Sequence, residues 1–224
     1  IVSIYVNAKQ FDSNNNFKKY PRHINKDINL LKKLKVDYLY VPSNKDVYSF
    51  KVANSIYLDK FSKLLCGKFR PGHFEAVIVV VNRFLEIIKP ESIYLGLKDF
   101  QQLSLIKLHI TKKKIKTKLI ECPTIRDKNG LALSSRNNML KNYQILNAGK
   151  IYRYVKKNKK MILGKILNNK KKEIIDKIIK LGADKIEYIE CLNLKNLIYC
   201  KSNKMSFNIF ISYYMSGVRL IDNL

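Results

Sequence analysis

The first half of the chain alternates two kinds of hydrophobic pattern. Short runs rich in β-branched and aromatic residues fall at 2–6 (VSIYV), 38–41 (YLYV), 92–96 (SIYLG) and 118–122 (KLIEC), and each predicts a strand. Between them the apolar positions take helical spacing. Ile28, Leu31 and Leu34 stand at i, i+3 and i+6, and Leu103, Ile106 and Ile110 at i, i+3 and i+7. The stretch 74–88 is apolar almost all round, which predicts a packed central helix ended by Pro90. Strands alternating with helices imply a parallel sheet covered on both faces.

The texture changes after Asn137. Residues 143–155 predict a helix, 156–160 a solvated charge run, and 166–181 a second amphipathic helix capped by Gly182. The segments KIEYIECL and SFNIFISYYM then alternate and are β-rich, which predicts strands, and SGVRLIDNL follows them. Helices followed by strands suggest a small α+β unit. The expected division is an α/β domain over 1–140 and a smaller domain over 141–224.

Composition changes this picture little. Lys and Arg number 44 against 17 Asp and Glu, a formal charge of +27 over 224 residues. Such a balance can mark a nucleic-acid-binding protein, and that is the rival functional class. The excess is spread through every segment, is mostly Lys, and accompanies abundant Asn, Ile and Tyr. It reads as compositional drift on a tolerant surface, without the aromatic–basic signature of an RNA module. Four widely spaced cysteines with no C-x-x-C pair argue against a zinc site or disulfide framework and suit a reducing cytosol. The longest apolar run, 76–81, is too short to span a bilayer, and no signal peptide is visible. The chain opens at Ile1 as though in mid-strand, so a segment upstream is expected.

Candidate chemistry sits where strands end. YLGLKDFQQL is a strand, a turn and a helix opened by Asp99, with Lys98 at the junction where a helix N-terminus would receive a phosphate. Gln101 and Gln102 on its first turn can donate and accept towards a small polar substrate. An ordinary N-cap at Asp99 with solvated neighbours explains the same residues. Asn7 and Gln10 in VNAKQF are neutral two-way hydrogen-bonders at another strand end, or simply a turn. Arg70 and His73 flank a Pro-Gly turn in CGKFRPGHF, where a lone loop histidine is more often structural. DKNGLALSSRN begins with a turn and then sets Ser134, Ser135, Arg136 and Asn137 side by side, a set of donors suited to an anion. Neither the dinucleotide fingerprint G-x-G-x-x-G nor a P-loop occurs.

Taken in order, VSIYVNAKQF, YPRHINKD, LCGKFRPGHF, GLKDFQQL, RDKNGLALSSRN and GVRLIDN resemble the pantothenate synthetase family over the whole chain, most densely between Cys66 and Asn137. The resemblance implies a nucleotidyltransferase-type Rossmann fold like that of class I aminoacyl-tRNA synthetases, a C-terminal lid and a cytoplasmic homodimer. The implied reaction is the Mg2+- and ATP-dependent joining of (R)-pantoate to β-alanine through pantoyl adenylate.

Matched residue by residue, it implies that Gln10 and Gln102 bind pantoate and that Gln10 lies beside β-alanine. Gly96, Leu97, Lys98 and Asp99 would form the ATP-binding strand end. Ile125 would make a backbone contact on the adenine side, and Leu133, Ser134, Ser135 and Arg136 would clamp the triphosphate. Lys98 and Arg136 are the catalytic candidates. Leu97 stands where the family has Glu, and Ala8 where it has Pro. The family's His-x-Gly-His motif, source of its proton-donor histidine, does not occur in these residues. About one βα unit of roughly 30 residues is therefore expected to be missing. An inactive remnant of the enzyme is the alternative that this leaves open.

Overall fold

The structure, a computed structural model, describes residues 1–11, 17–18, 20–48, 56–202 and 206–224. The N-terminal half runs β1 (Val2–Ser3), α1 (Ile24–Lys33), β2 (Leu39–Tyr40), α2 (Asn44–Tyr48), α3 (Cys66–Phe69), α4 (His73–Ile88), β3 (Ser92–Gly96), α5 (Phe100–Lys112) and β4 (Lys118–Cys122). The C-terminal half runs α6 (Asn142–Lys157), α7 (Lys159–Leu167), α8 (Lys171–Lys180), β5 (Lys185–Asn193), β6 (Phe207–Met215) and β7 (Val218–Asn223).

The expected parallel strands form, but as two pairs among the described residues. Val2 lies opposite Leu39 in the first pair, and Ser92 opposite Lys118 in the second. The first strand is also shorter than its apolar run. After Ile4 donates to the Tyr40 carbonyl at 3.0 Å, Asn7 turns the chain into a single 3-10 turn, Ala8–Gln10, by accepting from the Lys9 N–H. A side chain that caps a turn competes directly with strand pairing.

α4 buries Phe74, Val77, Ile78 and Leu85, which share a core with Leu105, Ile106 and Ile110 of α5. Where the two helices cross, His109 is wholly buried. Its Nδ1 accepts from the Tyr57 N–H at 3.1 Å, so its Nε2 carries the proton and donates to Asn82 Oδ1 at 2.9 Å.

The order β5-β6-β7 makes one antiparallel sheet, and α6, α7 and α8 cover one of its faces. Ile189, Cys191, Ile209, Ile211 and Tyr213 point into that helical core. Their neighbours Tyr188, Leu192 and Phe210 point the other way, into the core of α4 and α5. Successive strand residues alternate faces, so this sheet is buried on both sides and joins the two halves. The charge run at 156–160 faces solvent through Lys156, Lys157 and Lys160, and it ends α6 and begins α7. The stretch 166–181 is likewise two helices, broken at Asn169, whose φ is 57°. Gly182 follows α8 with φ 109°, as the cap reading requires.

Candidate active site

A cavity of about 270 Å³ opens where three polypeptide turns face one another, closed behind by the inner face of the antiparallel sheet. The first turn is the 3-10 segment Leu97–Asp99 between β3 and α5. Lys98 lines the cavity, its side chain 19% exposed and its Nζ 3.5 Å from Asp99 Oδ1. Asp99 holds the N-cap position of α5 but makes no capping hydrogen bond. The plain N-cap reading therefore fails, and the carboxylate faces the lysine instead.

The two glutamines beside it divide. Gln101 is buried and fully engaged, donating to the Phe61 and Leu64 carbonyls at 2.7 Å each and accepting from the Cys66 N–H at 3.1 Å. It anchors the segment leading to α3 and cannot also serve a substrate. Gln102 lines the cavity with its amide uncommitted among the described residues.

The second turn carries Gln10. Its carbonyl accepts from Arg70 Nη2 at 2.6 Å and from His73 Nδ1 at 2.8 Å, while Arg70 Nη1 reaches His73 Nε2 at 3.2 Å. That geometry assigns the His73 proton to Nδ1 and leaves Nε2 as an acceptor. Burial first, and the Arg70 charge second, push the His73 pKa down to about 3. The Arg-Pro-Gly-His turn is thus a bracket of one cation and one neutral imidazole that fixes the loop bearing Gln10. Gly72, at φ 77°, makes the bend possible.

The third turn is the Asp-Lys-Asn-Gly loop together with the Ser-Ser-Arg segment beyond it. Asp127 Oδ1 accepts from the N–H groups of Asn129 (2.8 Å) and Leu131 (2.9 Å), and Gly130 donates to the Asp127 carbonyl at 3.0 Å. Gly130 has φ 91°, and a Cβ there would sit 2.4 Å from Tyr152 Cδ1 of α6. Arg153 holds the Asn129 carbonyl at 2.6 Å. Past the turn, Ser134 Oγ caps the 3-10 helix Ser135–Met139 by accepting from the Arg136 N–H, and the Ser135 hydroxyl donates to Tyr20 at 3.1 Å. The Arg136 guanidinium lines the cavity with no partner among the described residues.

Gln10, Lys98, Asp99, Gln102, Ser134, Ser135 and Arg136 therefore share one cavity. Gly96, Leu97, Ile125 and Leu133 do not line it. Ile125 and Leu133 are 63% and 53% exposed and are tied together by the Leu133 N–H to the Ile125 carbonyl at 2.9 Å. Tyr20, Asp222 and Asn223 also line the wall. Sequence reasoning did not single them out, although the motifs YPRHINKD and GVRLIDN contained them.

Parallel βα units, a cleft lined by Lys98, Arg70 and Arg136, and a second sheet across it define an α/β protein with a cationic cleft. The chain belongs to the pantoate–β-alanine ligase family, whose model, described as Pantoate-beta-alanine ligase, matches residues 1–224. It is 39% identical to the pantothenate synthetase of Francisella tularensis subsp. novicida (strain U112), over 100% of this chain and 77% of that protein. A crystal structure of the Francisella tularensis pantoate–β-alanine ligase, complexed with beta-gamma ATP and β-alanine, superposes with a TM-score of 0.79 at 39% identity, covering 100% of this chain and 77% of that one. The pantothenate synthetase of Thermus thermophilus gives 0.86 at 27% identity, covering 100% and 82%.

Proposed function

We propose that this protein joins (R)-pantoate to β-alanine at the expense of ATP, and that the three turns divide the work. A pantoate carboxylate oxygen attacks the α-phosphorus of ATP as the bond to pyrophosphate breaks, giving pantoyl adenylate. The β-alanine amine then attacks the acyl carbon, loses a proton and expels AMP. Activation is needed because a free carboxylate is a poor acyl donor.

Gln10 and Gln102 present neutral amides to the hydroxyl and carboxylate of pantoate, and Gln10 also borders the β-alanine position. Lys98 and Arg136 are the catalytic cations. With Ser134 and Ser135 they stabilise the charge that gathers on the departing pyrophosphate. Gly96, Leu97 and Asp99 shape the strand end that receives ATP, while Ile125 and Leu133 contribute through their backbone. Mg2+ enters with ATP as its counterion. Phosphate oxygens would hold most of its coordination sphere, and Asp99, which lines the cavity, could supply a carboxylate.

In this reading residues 1–140 bind the substrates, 141–224 close the cleft, and the protein works as a cytoplasmic homodimer, which sedimentation at micromolar concentration would test. No helix among the described residues is long and apolar enough to cross a membrane.

The observation that carries the reading is the meeting of Arg136, which has no partner among the described residues, with Lys98 and two amides around one cavity in a chain of this family. Its test is Gln102→Ala in the full-length protein. Unpaired pantoate oxygens should weaken use of pantoate by about 1–3 kcal/mol, with KM for ATP unchanged. Equal weakening towards ATP, or none towards either, removes the assignment.

A further inference from the structure

GVRLIDN, residues 217–223, lies far from the strand-end turns in sequence, yet its last residues reach two of them. The Asn223 side-chain amide donates to the Leu97 carbonyl and to the Lys98 carbonyl, both at 2.9 Å. One NH2 group thereby spends its two hydrogens on two consecutive peptide units. Those units set the direction in which the Lys98 side chain leaves the backbone. The turn lacks the usual internal tie, since Asp99 makes no capping bond to α5.

Asp222, the preceding residue, grips Arg126 through both oxygens, at 2.6 and 2.8 Å, and Arg126 Nη1 in turn donates to the Gly130 carbonyl at 3.1 Å. Asp222 Oδ1 also accepts from the Asn223 N–H at 2.8 Å, which couples the two grips. β7 therefore fastens the Lys98 turn and the loop leading to Arg136 to one strand. That strand is seated in the sheet by its pairing with β6, where Asn223 lies opposite Phe210.

We infer that Asn223 is a positioning residue for Lys98, supplied across the cleft by the C-terminal sheet to hold the lysine in register with the anion site. The inference rests on the reading of Lys98 as a phosphate contact. The two-carbonyl grip is specific to an amide of this length. Aspartate has nearly the same shape but offers oxygens to the two carbonyls and has no hydrogen to donate, and alanine offers nothing.

The test is pyrophosphate release by the full-length protein, with ATP and pantoate varied separately, for Asn223→Ala, Asn223→Asp, Lys98→Ala and the double variants. A cationic group displaced by a fraction of an ångström to an ångström should lower kcat about 10- to 100-fold. KM for pantoate should stay within about twofold, because Gln10 is held by Arg70 and His73 and Gln102 is carried by the backbone of α5. If Asn223 acts through Lys98, adding Asn223→Ala to Lys98→Ala should cost less than about threefold more, since the two losses then share one cause. Fully multiplied losses, or a pantoate KM that rises in step, would overturn the inference while leaving the Lys98 reading intact. A Lys98→Ala enzyme with wild-type ATP kinetics would instead remove that reading, and this inference with it. Should Asn223→Ala not fold, the same cycle run with Asn223→Asp decides the matter.

Discussion

The two kinds of sheet in this molecule differ in length, in how they are held and in what they do. The antiparallel sheet is built from strands of nine, nine and six residues and is buried on both faces. The parallel pairs have strands of two or five residues, and β3 runs directly into the Leu97–Asp99 turn of the cavity. The first is secured mainly by apolar residues buried on both of its faces. The second is secured at its ends by individual donors such as Arg70, His73 and Asn223. Packing makes a rigid body, while single hydrogen bonds place a few polar groups in a cleft.

The largest expected effect comes from breaking the antiparallel body at the buried ion pair of Glu187 and Arg219. Glu187 sits at a register shift in β5 and accepts from Arg219 Nε and Nη2, from Ser212 Oγ at 3.0 Å and from Tyr214 OH at 3.3 Å. Glu187→Ala would strand the Arg219 charge between the two cores and should destabilise by about 3–5 kcal/mol. Urea unfolding monitored by circular dichroism measures this; a loss under about 1 kcal/mol would mean that Arg219 finds another partner.

At the cleft the expectation is reversed. Arg136→Ala should leave the urea midpoint almost unchanged, because the guanidinium has no partner to lose among the described residues. It should cut turnover about 100- to 1000-fold, as removal of a charge-stabilising donor does. Stopped or slowed adenylation with intact folding separates the two regions; parallel loss of both would merge them.

His73 sharpens the comparison through pH. Its pKa is about 3 in the folded chain against an ordinary 6.5. Between those values the unfolded chain binds the proton that the folded chain refuses, so stability falls as pH is lowered from 6.5 towards 3. The slope from this one group approaches about 1.4 kcal/mol per pH unit, and above pH 6.5 the group contributes none. His73→Gln should flatten that part of the profile while keeping a donor for the Gln10 carbonyl. An unchanged slope would move its origin to other groups. The smallest effect belongs to Leu34, 64% exposed at the end of α1, where Ala should shift stability by no more than about 0.5 kcal/mol in the same unfolding assay.

Elements with strong local periodicity were legible to within a residue or two. β3 and β4 match the predicted 92–96 and 118–122, and α4 adds only His73 to the predicted 74–88. Errors fell where a polar side chain or a backbone break overrode the pattern. Asn7 curtailed the first strand, and Asn169 split one predicted helix into the ends of two. At the site, motif order brought together Gln10, Lys98, Gln102 and the Ser-Ser-Arg triplet and set Gln102 apart, whereas the local pattern treated Gln101 and Gln102 as alike. Adjacent helical residues point about 100° apart, so one faces the core and the other the cleft. Which is which depends on what packs there.

The order of residues thus determined the strand and helix types, the turn at Asp127 to Gly130, and the family with its reaction, because each of these rests on local spacing or on motifs read in order. Only the tertiary structure decided that the C-terminal sheet is buried on both faces, that His73 is a neutral bracket for Gln10, and that Asn223 holds the carbonyls of Leu97 and Lys98 from 126 and 125 residues away. Contacts at that separation leave no periodic trace in either segment. They arise from how the packed halves meet, and the hydrogen-bonding capacity of an Asn near the chain's end is the same whatever it finally touches.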